Sequence, residues 1–256
     1  MLCVFPGFTT GLYNMFGTLS LIFLLSACAA FVQRVSGFGF GIFIMMFLPY
    51  IMPSYNEAVA LSGLLSGSTA LFILLRNFKY VKWDRIPVVL LFNASVSVFV
   101  VYFMASVSGE LLCRCLGAAL ILLSLYFLIY GGRVRLSFHT WWSKALVGIF
   151  SGVMGSMFAM PGPPVVLYGV NAISDKKEYM ATMQAFWLLF NLVYLFLRSG
   201  GGYYTSGTPL CWVVGLAGVS LGLLAGARCF SIIGAAMFRK IVYALMILSG
   251  MVALLK

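Results

Sequence analysis

The chain is a succession of apolar runs, most long enough to cross a bilayer and separated by short polar turns. Crossing about 30 Å of hydrocarbon takes about 20 helical residues. Such runs recur at 15–32, 36–53, 57–76, 86–107, 110–131, 144–160, 179–198, 209–227 and 239–255, with a shorter one at 163–173. Hydrophobic residues make up 63% of the chain and charged residues only 8%, where a soluble domain carries about a quarter. Too little polar surface remains to face water, so the solvent is lipid. The expectation is an all-α, polytopic transmembrane helical bundle, one domain over 1–256, multi-pass in the cell membrane. The first run has no basic region before it and reads as a membrane segment, not a cleaved signal peptide.

Two places interrupt the pattern. Gly37-Phe38-Gly39-Phe40-Gly41 breaks the first pair of runs, and Met160-Pro161-Gly162-Pro163-Pro164 separates 144–160 from 163–173. At about 1.5 Å per residue the latter segment covers about half the hydrocarbon, so 144–173 is expected as a broken helix or re-entrant hairpin. A polar turn with Glu57 or Glu178 follows each break, and three further helices complete each half. The layout recurs after about 120 residues. It divides the chain into a first repeat at 15–131 and a second at 144–255, on order and spacing rather than residue identity.

Charge then orients the chain. The formal net charge is +11, from 16 Lys and Arg against 5 Asp and Glu. Arg76, Lys79, Lys82 and Arg85 share one loop, and Arg133, Arg135 and Lys144 the next. Lys176 and Lys177 share a third, and Arg228, Arg239 and Lys240 flank the last. With each interrupted pair returning to its starting side, all four loops fall on one side, which the positive-inside bias makes cytoplasmic. The loop at 199–208, rich in Gly and Tyr, falls outside. An odd number of segments per half inverts the second repeat relative to the first. Inverted repeats with discontinuous helices are a recurrent plan of secondary transporters, with the site near the midplane. No basic stretch interleaved with aromatics on a polar face points to nucleic acid as a partner.

The breaks are the first candidates for a ligand site. Backbone groups freed by a break in lipid need partners, and a helix N-terminus offers N–H donors and about half a positive charge to an anion. Gly37, Gly39 and Gly41 would let a ligand approach the backbone, and would equally serve close helix packing. Pro161 and Pro163, flanking Gly162, cost no hydrogen bond at a helix start. Arg34 lies between two apolar runs, next to Gln33 and just before Ser36. Near the midplane its planar fork would grip a carboxylate or sulfonate. At the boundary it would be a cation snorkelling to headgroups. Ser62, Ser66 and Thr69 share one face of the following helix, and Gln184 and Asn191 share a face with Trp187 in its counterpart. Helix packing accounts for most hydroxyls, whereas a buried amide needs partners for donors and acceptor alike.

Other chemistries have little to stand on. The acids Glu57, Asp84, Glu110, Asp175 and Glu178 all lie at or near segment ends. Cation channels and carboxylate-based proton pumps usually need one deep in a helix, which an anion carrier does not. Membrane potential alone drives an anion outward by about 2.3 kcal/mol per charge per 100 mV. No phosphate-binding glycine loop ending in Lys-Ser or Lys-Thr occurs, so no nucleotide motor is present. The six cysteines and single His139 show no zinc spacing, and no metal or other cofactor is expected. The reading that follows is a secondary transporter, not an enzyme, exporting small organic or sulfur-containing anions. The alternative is a membrane-embedded thiol redox enzyme using Cys113 and Cys115.

The two breaks also carry a family resemblance. Val35-Ser36-Gly37-Phe38-Gly39-Phe40-Gly41 and Gly162-Pro163-Pro164-Val165-Val166-Leu167-Tyr168, with Glu57-Ala58-Val59-Ala60-Leu61 and Ala181-Thr182, resemble the sulfite exporter TauE/SafE family, also called the toluene sulfonate uptake permease family. The likeness runs from about residue 15 to the end. It implies transport of small anions, often sulfur compounds such as sulfite or sulfonates. Ala159 and Pro161 depart from it, standing where glycines are expected.

Overall fold

A computed structural model describes residues 12–130, 140–229, 247 and 250–254. Arg133, Arg135, His139, Arg239, Lys240 and most of the run at 239–255 lie outside the described residues. The described chain is helical, with no strand. Its elements are α1 (Leu12–Ser36), α2 (Phe40–Met45), α3 (Leu48–Ile51), α4 (Tyr55–Leu75), α5 (Pro87–Ala105), α6 (Gly109–Tyr130), α7 (Trp141–Phe158), α8 (Gly162–Ala172), α9 (Lys176–Arg198) and α10 (Thr208–Cys229). Six described helices are long and apolar enough to cross a membrane. The run at 36–53 is the pair α2–α3, and the one at 163–173 is α8.

Local chemistry sets the boundaries. Ser54 caps α4 by accepting from the Glu57 N–H at 3.1 Å. Asp175 caps α9 by accepting from Lys177 and Glu178 N–H groups at 2.8 and 2.9 Å. Proline stands in the first turn of α3, α5 and α8, where its missing N–H costs nothing. α1 stops at Gly37 (φ 84°), and α7 stops at Ala159 (φ 53°). Ala159 is the one described non-glycine residue with positive φ.

Small residues bring the long helices together in pairs. On α10, β-carbons at Gly218 and Gly222 would collide with the Phe23 and Ala27 carbonyls of α1, and Gly226 lies against Phe31 and Arg34. Residue numbers rise together, so α1 and α10 run parallel. On α7, β-carbons at Gly148 and Gly152 would lie 2.6 and 2.9 Å from the Val89 and Asn93 carbonyls of α5, again in parallel. The first long helix of each half thus lies along the fourth-segment helix of the other. Between these pairs α4 packs against α9, with Gly63 and Gly67 facing Asn191. Gly117 of α6 meets Gly250. Outward-facing side chains are apolar, with Phe99 77% and Phe196 79% exposed, as lipid contact requires.

The two ends differ in charge. At one end the loop after α4 is fastened to α9, where the Lys82 ammonium meets the Glu178 carboxylate at 2.9 Å and the Lys82 N–H donates to Thr182 Oγ1. The Glu178 carboxylate raises the Lys82 pKa above its ordinary value, chiefly through this hydrogen bond. Arg34, Asn77, Lys176 and Lys177 line one cavity at the same end. At the opposite end Tyr203 donates to the Val101 carbonyl at 3.0 Å. Thr205 and Thr208 there donate to Glu57 Oε1 at 2.6 and 2.9 Å. Burial of the Tyr203 phenol raises its pKa.

Candidate functional site

Both breaks are hairpin tips, and the tips meet. Gly37 and Gly39, with φ of 84° and 99°, turn the chain from α1 into α2 through backbone conformations that favour glycine. The Gly37 carbonyl this turn frees accepts from Trp187 Nε1 at 3.0 Å and Gln184 Nε2 at 3.2 Å. Gln33 Nε2 donates to Gln184 Oε1 at 2.8 Å, leaving Gln33 Oε1 buried without a hydrogen-bond partner. At the second tip Ala159 and Met160 N–H groups close α7 onto Gly155 and Met154, and Pro161 leads into α8. Gly41 lies so close to the Ala159 carbonyl that no β-carbon fits between them.

A cavity of about 20 Å³ remains between the tips, lined by Gln33, Gly39, Gly41, Ser66, Pro161 and Gly162, with Phe38 and Trp187. It has room for about one water molecule. Asn191 borders it through Ser66, which accepts a long 3.5 Å bond from Asn191 Nδ2, while the same amide donates to the Trp187 carbonyl at 2.8 Å. Ser62 is buried one turn away with its hydroxyl unpartnered. Pro163 is buried in the first turn of α8, and Ser36 is the last residue of α1.

Arg34 is placed differently from the midplane expectation. It lines two cavities of about 320 and 340 Å³ at the basic end rather than the space between the tips. The reason is helical phase. α1 continues to Ser36, so neighbours Gln33 and Arg34 point about 100° apart. Gln33 reaches the tips, while the Arg34 stem packs on Gly226 of α10.

Among the described residues the fully buried cation is instead Arg198, 1% exposed at the end of α9. It donates to the Ser156 and Gly155 carbonyls at 2.9 and 3.2 Å, and to Val59 O at 3.4 Å. Its guanidinium stands 5.3 Å from the Tyr194 ring centroid. The Gly155 and Ser156 carbonyls belong to the last turn of α7, the negative end of its dipole, and the Val59 carbonyl to α4, so Arg198 secures the second tip from behind. Its place at the end of an apolar run gives it the look of a boundary charge. Glu57 also departs from expectation. It starts a helix, yet it is 2% exposed, with Oε2 unpartnered.

Cys113 and Cys115 sit two apart on α6, where side chains do not face each other, and neither forms a disulfide. The thiol-pair reading therefore gains no support. No group of His, Cys, Asp and Glu able to hold a metal occurs among the described residues.

The sequence model of the family described as Sulfite exporter TauE/SafE matches residues 22–253, spanning both tips and all ten helices in whole or part. The chain belongs to the TauE/SafE family. It is therefore a multi-pass membrane transporter, and the meeting tips are the place in this TauE/SafE fold where non-helical backbone is buried inside the bundle. No individual curated protein and no solved structure matches the chain.

Proposed function

We propose that this protein exports small sulfur-containing anions, sulfite or organosulfonates, through a site formed where the two tips meet. The carrying observation is the convergence of Gly37–Gly41 and Ala159–Gly162 around buried donors. Gln184 Nε2 and Trp187 Nε1 both point at one backbone carbonyl, Gly37 O. An anion replacing that carbonyl would accept from both, with Ser66 and the tip amides completing the shell. Gln33, Ser36, Gly37, Gly39, Gly41, Ser62, Ser66, Pro161, Gly162, Pro163, Gln184 and Asn191 form or support this site.

A space of about 20 Å³ is too small for sulfite, so binding requires the tips to part. Asn77, Lys176 and Lys177 serve the inner approach, drawing anions toward the tips through a cavity of about 340 Å³. The two halves act as inverted repeats that rock about the tips. Cross-packing of α1 on α10 and of α7 on α5 supports this arrangement.

Flux of radiolabelled sulfite from proteoliposomes tests the proposal. Efflux should rise when the interior is made negative. Trp187→Phe and Gln184→Leu should each slow it about tenfold, the worth of one hydrogen bond to a charge. Wild-type rates in both variants would place the site elsewhere.

A further inference from the structure

A second feature lies on the flank of the bundle at the basic end. A groove of about 320 Å³ runs between α1, α4 and α10, lined by Arg34, Arg76, Ser220 and the apolar Phe72, Leu75 and Leu224. Arg34 is held there by its stem, which packs against Gly226. The Arg34 and Arg76 charges are close enough to repel each other. No carboxylate pairs with either among the described residues. Phe72, Leu75 and Leu224 are exposed on the outer surface of candidate membrane spans, so they face acyl chains.

Two guanidiniums lining one groove beside an apolar trough define the occupant. A free anion would neutralise the charges and leave the trough empty. A neutral lipid would fill the trough and leave the charges unpaired. We propose that the groove holds an anionic phospholipid of the cytoplasmic leaflet, its phosphate between Arg34 and Arg76 and an acyl chain along Phe72, Leu75 and Leu224. The basic end is the cytoplasmic one by the positive-inside bias, and basic pockets between helices on that side suit anionic headgroups. The groove shares no lining residue with the space between the tips, while Arg34 also borders the cavity beside Lys176 and Lys177, which Arg76 does not line.

The test uses the purified full chain after delipidation. Bound lipid is counted by native mass spectrometry, and thermal unfolding is followed with phosphatidylglycerol, phosphatidylcholine or inorganic phosphate added. Phosphatidylglycerol should be retained and should raise Tm, whereas the other two should do neither. Arg76→Gln should weaken phosphatidylglycerol retention about fivefold, the worth of one basic residue at a membrane surface. Arg76→Lys should largely restore it, which separates lost charge from a folding defect. Arg114→Gln, on a guanidinium already paired with Glu110, should leave it unchanged. Equal retention of phosphatidylcholine, or no effect of Arg76→Gln on a folded protein, would make the groove ordinary lipid contact and overturn the proposal. Displacement of the lipid by inorganic phosphate or sulfite would make it part of the anion's approach and overturn it as well. Sulfite flux measured alongside keeps this outcome distinct from failure of the site at the tips.

Discussion

Arg198 carries its charge through the bundle interior with no carboxylate within ion-pair distance among the described residues. Backbone carbonyls of α7 and α4 solvate it instead, with the Tyr194 ring alongside. Removing the guanidinium leaves the Ser156 carbonyl buried and unpaired, at roughly 1–3 kcal/mol, whereas Gly155 O keeps the Ala159 N–H. Arg198→Met should therefore cost about 1–3 kcal/mol and lower the unfolding temperature in detergent. Arg198→Lys keeps the charge but not the planar fork, and should recover only part of the loss. An unfolding temperature unchanged by Arg198→Met would mean the arginine is not a structural tie. The opposite tip residues give a contrasting pair. A β-carbon at Gly41 would run into the Ala159 carbonyl, a backbone atom that has nowhere to move. Gly41→Ala should abolish transport and reduce the yield of folded protein. Ala159→Gly relieves a left-handed conformation costing about 1–2 kcal/mol, against about 0.5–1 kcal/mol of added chain freedom when unfolded. Its unfolding temperature should match or slightly exceed that of the wild type.

At the scale of elements, two parallel helix pairs do the same work at different places. Gly218 and Gly222 admit α1 onto α10, and Gly148 and Gly152 admit α7 onto α5. In lipid such contacts depend on packing and not on expulsion of water, so a single bulky side chain separates the helices. Gly222→Leu and Gly152→Leu should each destabilise the protein by several kcal/mol and to a similar degree, measurable as loss of the monodisperse peak in size-exclusion chromatography. A large effect of one with none of the other would break the equivalence of the pairs. The helices were legible in the sequence as apolar runs of membrane-crossing length, and the breaks as glycine and proline inside such runs. The tips were placed by the same signal. Partner choice was not legible, because which helix a glycine faces depends on contacts nearly 200 residues apart, as between Phe23 and Gly218. Helical phase decided Gln33 against Arg34, and spacing alone gave no fixed point from which to count that phase. Arg198 was hidden because its partners are carbonyls, which every residue possesses.

At the scale of the whole molecule, charge and connectivity imply one orientation. Lys79, Lys177 and the end of α10 belong to the basic end, whereas Ser206 stands in the exposed loop beside Glu57 at the other. The lysines are costly to translocate, so the orientation we propose puts the basic end in the cytoplasm. The two halves must then enter the membrane from opposite sides. In that proposed orientation α1 would arrive from outside and turn back at Gly37–Gly39, and α7 would arrive from inside and turn back at Ala159–Pro161. This makes a sharp expectation for labelling in a background with the six native cysteines replaced by serine. In intact cells, a membrane-impermeant maleimide should modify Ser206→Cys. It should modify Lys79→Cys and Lys177→Cys only after permeabilisation. Lys79 precedes α5 and Lys177 opens α9, so the two report on different halves. If they label from opposite sides of the membrane, the halves are not inverted. Tips entering from both sides would then have to be abandoned, and with them the rocking transport cycle.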